Sequence, residues 1–257
     1  MGNNKPLILV TNDDGITAKG IETLVNAVSS LGEVVVVAPD SPQSGMGHAI
    51  TLSEPLRLRE SKLFGEIKSY ECSGTPADCV KIAKNYVLKG RKIDLVVSGI
   101  NHGSNSSISV IYSGTMSAAI EAAIEGIPAI GFSLCDYAAD AVFEHTVIYV
   151  QKIVEQTLQK GLSKHIALNV NFPNSKVQIK GTKVCRQALA KYQEEYDKRT
   201  DPMNKDYFWA TGELVNNDNG EDTDEWALAN GYISIVPCQF DLTAHHAISI
   251  INSEWDI

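Results

Sequence analysis

One apolar run near the start of the chain constrains the fold more than any other feature. Residues 7–11 (LILVT) are apolar or β-branched, and they lead into the adjacent carboxylates Asp13 and Asp14. A short apolar run that ends at a turn signal is typical of a strand buried on both faces of a sheet. Apolar residues at helical spacing follow, so we predict a helix from an N-cap at Thr17 to Leu31. The two carboxylates are therefore expected where a parallel strand ends and its helix begins.

Strand and helix patterns alternate through the first two thirds of the chain. Further strands are predicted at 33–38, 94–98, 128–134 and 166–171, with helices starting at Thr75 and spanning 112–126 and 141–160. Such alternation indicates βαβ units with parallel strands. We therefore predict an α/β fold, in which helices sandwich a Rossmann-like, mostly parallel sheet.

A segment after the second strand interrupts this alternation. Residues 49–52 and 56–59 alternate like exposed strands and indicate a small antiparallel excursion. The next helix has a clear start signal, with Thr75 as N-cap, Pro76 at the first position and Asp78 near the positive end of the helix dipole. Its buried side is expected to hold Val80, Ile82, Ala83, Tyr86 and Val87.

The composition changes at about residue 175. Between residues 194 and 225 acids far outnumber bases, and aromatic residues such as Trp209 lie among them. Such a segment suggests an extension that orders against a second subunit, although packing onto its own core explains it equally well. We divide the chain into an α/β core at 1–175, an oligomerisation extension packed on the core at 176–231, and a final strand with a tail returning to the core at 232–257.

The overall charge restricts the partners. A formal net charge of −9 argues against long nucleic acids, because their binding depends on Lys and Arg at phosphates. A small phosphorylated substrate is compatible with this charge, since a bound cation reverses the local sign. No apolar run approaches the roughly 20 residues that a membrane span needs, and no signal peptide is recognisable at the N-terminus. We expect a cytoplasmic protein without membrane contacts.

Polar residues follow three of the predicted strands. Asp13 and Asp14 follow the first, Ser44 follows the second, and Asn101 follows the strand at 94–98. In a parallel sheet these points lie on one edge, where four hard oxygen ligands would suit one Mg²⁺ or Mn²⁺ ion. The helix start at 113–115 (SGT) offers N–H groups and hydroxyls to a phosphate. A metal beside an anion site predicts phosphoryl transfer or phosphate-ester hydrolysis.

Each of these features also has a simpler explanation. Asp13 and Asp14 could form a loop and helix cap, Ser44 a turn, Asn101 a strand end, and Ser113 an N-cap. Convergence on one edge favours the functional interpretation over these alternatives. The dinucleotide motif G-x-G-x-x-G, the P-loop ending G-K-[ST], the nucleophile motif G-x-S-x-G and the zinc motif H-E-x-x-H are all absent from the sequence.

Five motifs in order resemble the survival protein E (SurE) family. They are residues 10–15 (VTNDDG) followed by Gly20-Ile21, 37–48 (VAPDSPQSGMGH), 74–80 (GTPADCV), 98–105 (SGINHGSN) and 112–115 (YSGT). The family consists of divalent-metal-dependent 5′/3′-nucleotidases, some of which also trim short polyphosphate. Its members are dimers or tetramers that exchange C-terminal segments, so the resemblance implies a homodimer or homotetramer here.

The resemblance also implies roles for individual residues. It implies that Asp13, Asp14, Ser44 and Asn101 bind the metal. Our own mechanistic hypothesis adds that Asp13 or Asp14 orients or deprotonates the attacking water. The resemblance also implies that the substrate and its phosphate are bound by Asn12, Asn105, Ser113, Gly114 and Thr115. One stretch departs from the family pattern. After Asn105 the family usually has Met-Gly-x-Asp-Val, whereas residues 106–110 read SSISV, with serine replacing both the glycine and the acid.

The predicted function is hydrolysis of nucleoside 5′- (and 3′-) monophosphates with one divalent cation per subunit. Two alternatives remain: a phosphatase for polyphosphate or non-nucleotide monoesters, and a non-catalytic, metal-dependent nucleotide-binding module. His48 and His102 lie in two of the loops and could contact substrate, although hydrogen-bonded loop histidines are more common.

Overall fold

A computed structural model of the protein describes residues 5–138 and 140–255. The strands are β1 Leu7–Thr11, β2 Glu33–Pro39, β3 Leu58–Ser61, β4 Lys68–Cys72, β5 Leu95–His102, β6 Ala129–Leu134, β7 Ile166–Phe172, β8 Gly181–Val184, β9 Ala190–Thr200, β10 Asp206–Asn216 and β11 Tyr232–Gln239. The helices are α1 Lys19–Val28, α2 Pro76–Ile82, α3 Ser109–Tyr112, α4 Gly114–Ile124, α5 Val147–Lys160, α6 Asp224–Ala229 and α7 His245–Glu254. The outer ends of the predicted divisions 1–175 and 232–257 lie outside the described residues.

Nine strands form one sheet in the order β3-β4-β2-β1-β5-β6-β7-β11-β8. The six strands from β4 to β7 in this order are parallel, while β3 and β11 run antiparallel to β4 and β7. Helices α1 and α5 cover one face of the sheet and α2 and α4 cover the other. This architecture confirms the predicted α/β class with its mostly parallel sheet.

The central strand β1 is buried on both faces of the sheet. Ile8 and Val10 pack with Leu24 on one side of the sheet, while Leu7 and Leu9 face the opposite core. Successive side chains of a strand point to opposite faces, so only a continuous apolar run can fill both cores. Burial on both faces fixes β1, and with it the position of the polar residues that follow.

The antiparallel excursion is only partly where it was predicted. β3 pairs antiparallel with β4, but residues 49–52 form no strand and β3 starts two residues later than predicted. The backbone of residues 49–52 bonds to the start of α2 instead: Thr51 N–H donates to Asp78 and Ala49 C=O accepts from Thr75 Oγ1. The backbone of residues 49–52 is therefore bonded to the start of α2, and not to a neighbouring strand as its alternating sequence predicted.

Two details of the helices also differ from prediction. Helix α1 begins after Ala18 rather than Thr17, because a turn over Gly15–Ala18 precedes it, and it ends at Val28. The predicted start of α2 is confirmed, since Thr75 and Asp78 form a complete capping box. Beyond α2 the chain makes a π-helical turn that changes the helical phase, so Tyr86 is 74% exposed rather than buried.

The last third of the chain has two parts. β9 and β10 pair with each other in a separate two-stranded sheet, and exposed aromatic residues such as Trp209 lie along β10. β11 then lies between β7 and β8 in the main sheet, and α7 follows with no buried residue. The three-part division of the chain and the role of 176–231 in assembly stay predictions.

Within the described ranges, no helix combines the length and the apolar character required to cross a membrane.

Replacement of Thr75 by alanine tests the cap of α2. Its hydroxyl accepts from Asp78 N–H and donates to Ala49 C=O, so we expect Thr75→Ala to lower the free energy of unfolding by about 1–2 kcal/mol. Thr17→Ala is the matched control, because Thr17 is exposed and helix α1 shows no side-chain cap bond. Urea denaturation measures both changes, and equal midpoints for the two variants would contradict the assignment.

Candidate active site

A cavity of about 390 Å³ opens where β1, β2 and β5 end. Five of the predicted site residues line it: Asp13, Ser44, Asn101, Asn105 and Ser113. Its wall is completed by Gly45, His102, Ser104, Ser109, Tyr112, Tyr137 and Tyr192. The other predicted residues, Asn12, Asp14, Gly114 and Thr115, lie within two positions of a lining residue in the chain. The sheet edge thus brings together side chains that lie far apart in the sequence, from Asp13 to Tyr192.

Asp13 joins the end of β1 to the start of α4. Thr115 Oγ1 donates a hydrogen bond to Asp13 Oδ1 at 2.5 Å. A Cβ on Gly114 would lie 2.6 Å from Asp13 Cβ, so only glycine permits this close approach. Burial raises the pKa of Asp13 to about 6, with the Thr115 bond opposing and the charge of Asp14 reinforcing the shift.

Asp14 joins β1 to β5. Its Oδ2 accepts from the backbone N–H of His102 at 3.2 Å and lies 3.6 Å from His102 Nδ1. The neighbouring Asn101 donates through Nδ2 to Gly103 C=O at 2.8 Å, which leaves its Oδ1 available as an oxygen ligand. His102 itself packs edge-on against Phe143, with ring centroids 4.8 Å apart.

The loop that carries Ser44 is fixed on both sides of this residue. Gln43 N–H donates to Asp13 C=O at 2.7 Å, and Gly47 N–H donates to Tyr112 C=O at 3.1 Å. Between them Gly45 adopts a φ of +73°, which permits the sharp turn that exposes Ser44 to the cavity. Ser44 is therefore positioned by backbone bonds to the loop that follows β1 and to α3.

The start of α4 supplies donors to the cavity. Ser113 Oγ accepts from Met116 N–H at 3.0 Å and caps the helix. The N–H groups of Gly114 and Thr115 belong to the first turn and have no intrahelical acceptor. These groups and the helix dipole favour an anion. The Thr115 hydroxyl is directed at Asp13, so its contribution to an anion site would be its N–H group.

Four residues at this edge could hold a divalent cation: Asp13, Asp14, Ser44 and Asn101. Their oxygen atoms are the hard donors that Mg²⁺ and Mn²⁺ prefer. Residues 5–138 and 140–255 contain no cluster of three or more His, Cys, Asp or Glu arranged around a metal site. A zinc-type site of nitrogen and sulfur ligands is therefore not formed by the described residues.

A family model described as survival protein SurE matches residues 8–194. The chain belongs to the SurE family. A relative from Cytophaga hutchinsonii named 5′-nucleotidase SurE is 65% identical over 253 residues, covering 98% of both chains. A relative of the same name from Bacteroides fragilis is 46% identical over 258 residues and covers both chains completely. The crystal structure of the SurE protein from Aquifex aeolicus superposes with a TM-score of 0.82 at 41% identity, covering 96% of this chain and 99% of that one.

The departure from the SurE pattern has a structural explanation. Ser107, where the family has glycine, adopts a φ of +51° in the left-handed region that glycine favours. Its hydroxyl donates to Ala188 C=O and accepts from Ala190 N–H, while its own N–H donates to Asp224. These bonds compensate the strained backbone and tie the loop to the segment before β9 and to α6.

Sequence reasoning missed the residues that hold Asn105. Asn171 Oδ1 accepts from Asn105 N–H, Asn169 Nδ2 donates to Asn105 C=O, and Asn105 Nδ2 donates to Ser133 Oγ, each at 2.8 Å. Asn169 and Asn171 are buried on β7. Two asparagines at alternate positions of an otherwise apolar strand were the available signal, because buried amides need partners.

His48 lies outside the cavity and anchors the Ser44 loop to α4. His48 Nε2 and Lys81 Nζ each lie 2.9 Å from a different carboxylate oxygen of the buried residue Glu121. Bonding to His48, reinforced by Lys81, lowers the pKa of Glu121. A lowered pKa stabilises the fold above the ordinary glutamate pKa of about 4.3, and this contribution is lost as the pH falls below it.

Glu121→Gln tests this anchor. We expect the variant to lose about 1–3 kcal/mol of unfolding free energy at pH 7, because His48 and Lys81 lose a charged acceptor. The difference from the wild-type protein should shrink as the pH falls from 6 to 3.5, measured by urea denaturation. Glu155→Gln on the exposed face of α5 is the control and should stay within about 0.5 kcal/mol. A difference that does not change with pH would refute the ion-pair account.

Proposed function

We propose that this protein hydrolyses nucleoside 5′-monophosphates, and also 3′-monophosphates, to nucleoside and phosphate. Membership of the SurE family makes it an enzyme of the phosphatase class, and its curated relatives are named 5′-nucleotidases. One observation carries the proposal: two carboxylates, a serine, an asparagine and a free helix start converge at one sheet edge. This arrangement offers a cation site beside an anion site, which phosphate-ester hydrolysis requires.

A single divalent cation per subunit fits the residues at this edge. Asp13, Asp14, Ser44 and Asn101 would hold it through oxygen atoms, and no amine or thiol competes for it in the cavity wall of the described chain. The close approach of Asp13 and Asp14, which repel each other, also favours a positive charge between them. When bound, such an ion would polarise a phosphoryl oxygen and offset its negative charge.

The residues of the chain supply the other parts of the reaction. The N–H groups of Gly114 and Thr115, the Ser113 hydroxyl and the Asn105 side chain bind the phosphoryl oxygens and stabilise the charge that builds on them. Asp13 orients the attacking water and accepts its proton, because its carboxylate lines the cavity whereas Asp14 bonds to His102. Water attacks phosphorus as the P–O bond to the nucleoside breaks, and the departing oxygen takes up a proton.

Assembly into a homodimer or homotetramer through the C-terminal segments belongs to the same proposal. Support comes from the apolar side chains that the single chain leaves uncovered there. Trp209 on β10 is 59% exposed, Ile250 on α7 is 50% exposed, and Trp255 after α7 is 61% exposed. Exposed apolar side chains that lie together in the C-terminal segments favour an interface there.

Phosphate release from a panel of monophosphates tests the function. We expect release from nucleoside monophosphates with Mn²⁺ or Mg²⁺ and none after treatment with EDTA. Asp14→Asn should lower kcat/KM on the order of 100-fold while the unfolding midpoint changes little. Calorimetric titration with Mn²⁺ should show weaker binding to the same variant. Glu22→Gln on the exposed side of α1 is the control and should match the wild-type protein.

Other results would select the alternatives. Nucleotide binding without phosphate release would indicate a binding module, and faster release from polyphosphate or non-nucleotide monoesters would indicate a different phosphatase. Wild-type turnover by Asp14→Asn would contradict the proposed cation site.

A further inference from the structure

A second cavity of about 490 Å³ adjoins the candidate active site. The two cavities share four residues, Ser104, Ser109, Tyr137 and Tyr192, so one ligand can reach both. The shared tyrosines offer aromatic rings at this passage. A monophosphate bound beside Ser113 would therefore extend its remaining part past the tyrosines.

The second cavity is built from elements that contribute little to the first. Val177, Leu214 on β10 and Leu228 on α6 give it apolar walls. The polar side chains of Ser106 and Glu225 also line this cavity. Apolar walls with a few placed polar groups are typical of small-ligand sites.

Glu225 is the charged group of this cavity. Its side chain is partly buried, and the Ser106 hydroxyl donates to its Oε1 at 2.5 Å. Among the described residues no donor bonds to Oε2, so this oxygen is available to a ligand. Burial raises the pKa of Glu225, the bond from Ser106 opposes this shift, and the charge of Asp224 adds to it.

We propose that this second cavity binds the nucleoside part of the substrate and that Glu225, held by Ser106, accepts a hydrogen bond from it. The inference rests on the proposed function. The donor is a ribose hydroxyl or an exocyclic amino group, since both match a carboxylate acceptor. The apolar walls contact the base, and Tyr137 and Tyr192 stack against it, as aromatic side chains do with bases in general.

The charge of the cavity also selects against a polyphosphate. Asp224 lies buried next to Glu225 and bonds to the N–H groups of Ser107 and Ala188. Two carboxylates here repel the further phosphates of a chain whose end occupies the first cavity. Ser106 and Glu225 are therefore specificity-determining residues that favour nucleosides over polyanions.

The test compares kcat/KM for AMP with kcat/KM for glycerol 2-phosphate, which is too small to fill both cavities. Glu225→Gln should lower the ratio of the two values about tenfold, mainly through KM for AMP, since a charged acceptor becomes neutral. Leu214→Trp, which narrows the cavity from β10, should lower the same ratio. Glu221→Gln, an exposed acid four residues earlier, is the control and should leave the ratio unchanged.

Further substrates identify the donor. A smaller effect of Glu225→Gln on 2′-deoxy-AMP than on AMP assigns the ribose 2′-hydroxyl, and a smaller effect on IMP assigns the amino group. An AMP to glycerol 2-phosphate ratio that Glu225→Gln leaves at the wild-type value would overturn the proposal. If neither compound releases phosphate, the proposed function fails. The dissociation constants of the same two compounds, measured by calorimetry, then test the cavity separately: Glu225→Gln should weaken the binding of AMP relative to that of glycerol 2-phosphate.

Discussion

The hydrogen bond from Thr115 to Asp13 is the contact on which the site depends. It joins the end of the central strand β1 to the first turn of α4, and Gly114 lets the two backbones approach closely enough to form it. Strand β1 is buried on both faces and cannot shift without disturbing two cores. The carboxylate and the free N–H groups of the helix start are therefore held in a fixed relation. That relation places a cation site and an anion site side by side.

Each of the functional loops is attached to a rigid element of the fold. Backbone bonds to Asp13 and Tyr112 fix the Ser44 loop, and the hydrogen bond between His48 and Glu121 anchors its far side. Asparagines on β7 hold the Asn105 loop. The preorganised site therefore needs little rearrangement to bind substrate, which keeps the entropic cost of binding low. The segments after β7 border the site on its other side. There Tyr192 and Glu225 line the second cavity, which gives room for a larger ligand.

The features that the sequence predicts correctly depend mainly on residues that are close together in the chain. The run at 7–11 is recognisable because a doubly buried strand must be apolar throughout, and the capping box at Thr75 uses only neighbouring residues. The polar strand ends at Asp13, Ser44 and Asn101 also converge as expected, because topology places the ends of parallel strands on one edge. Long-range contacts explain the failures. Residues 49–52 bond to α2 rather than to a strand, the π-helical turn exposes Tyr86, and the sequence does not reveal the pairing of β9 with β10.

The central claim is that Asp13, Asp14, Ser44 and Asn101 form one cation site next to the start of α4. Crystals grown with Mn²⁺ and phosphate test it directly, because anomalous scattering at the manganese edge locates the ion without assumptions about the reaction. The account predicts one strong peak within ligand distance of Asp13 and Asn101, with phosphate between that peak and the N–H groups of Gly114 and Thr115. A fully occupied manganese peak elsewhere, with this edge empty, would contradict it.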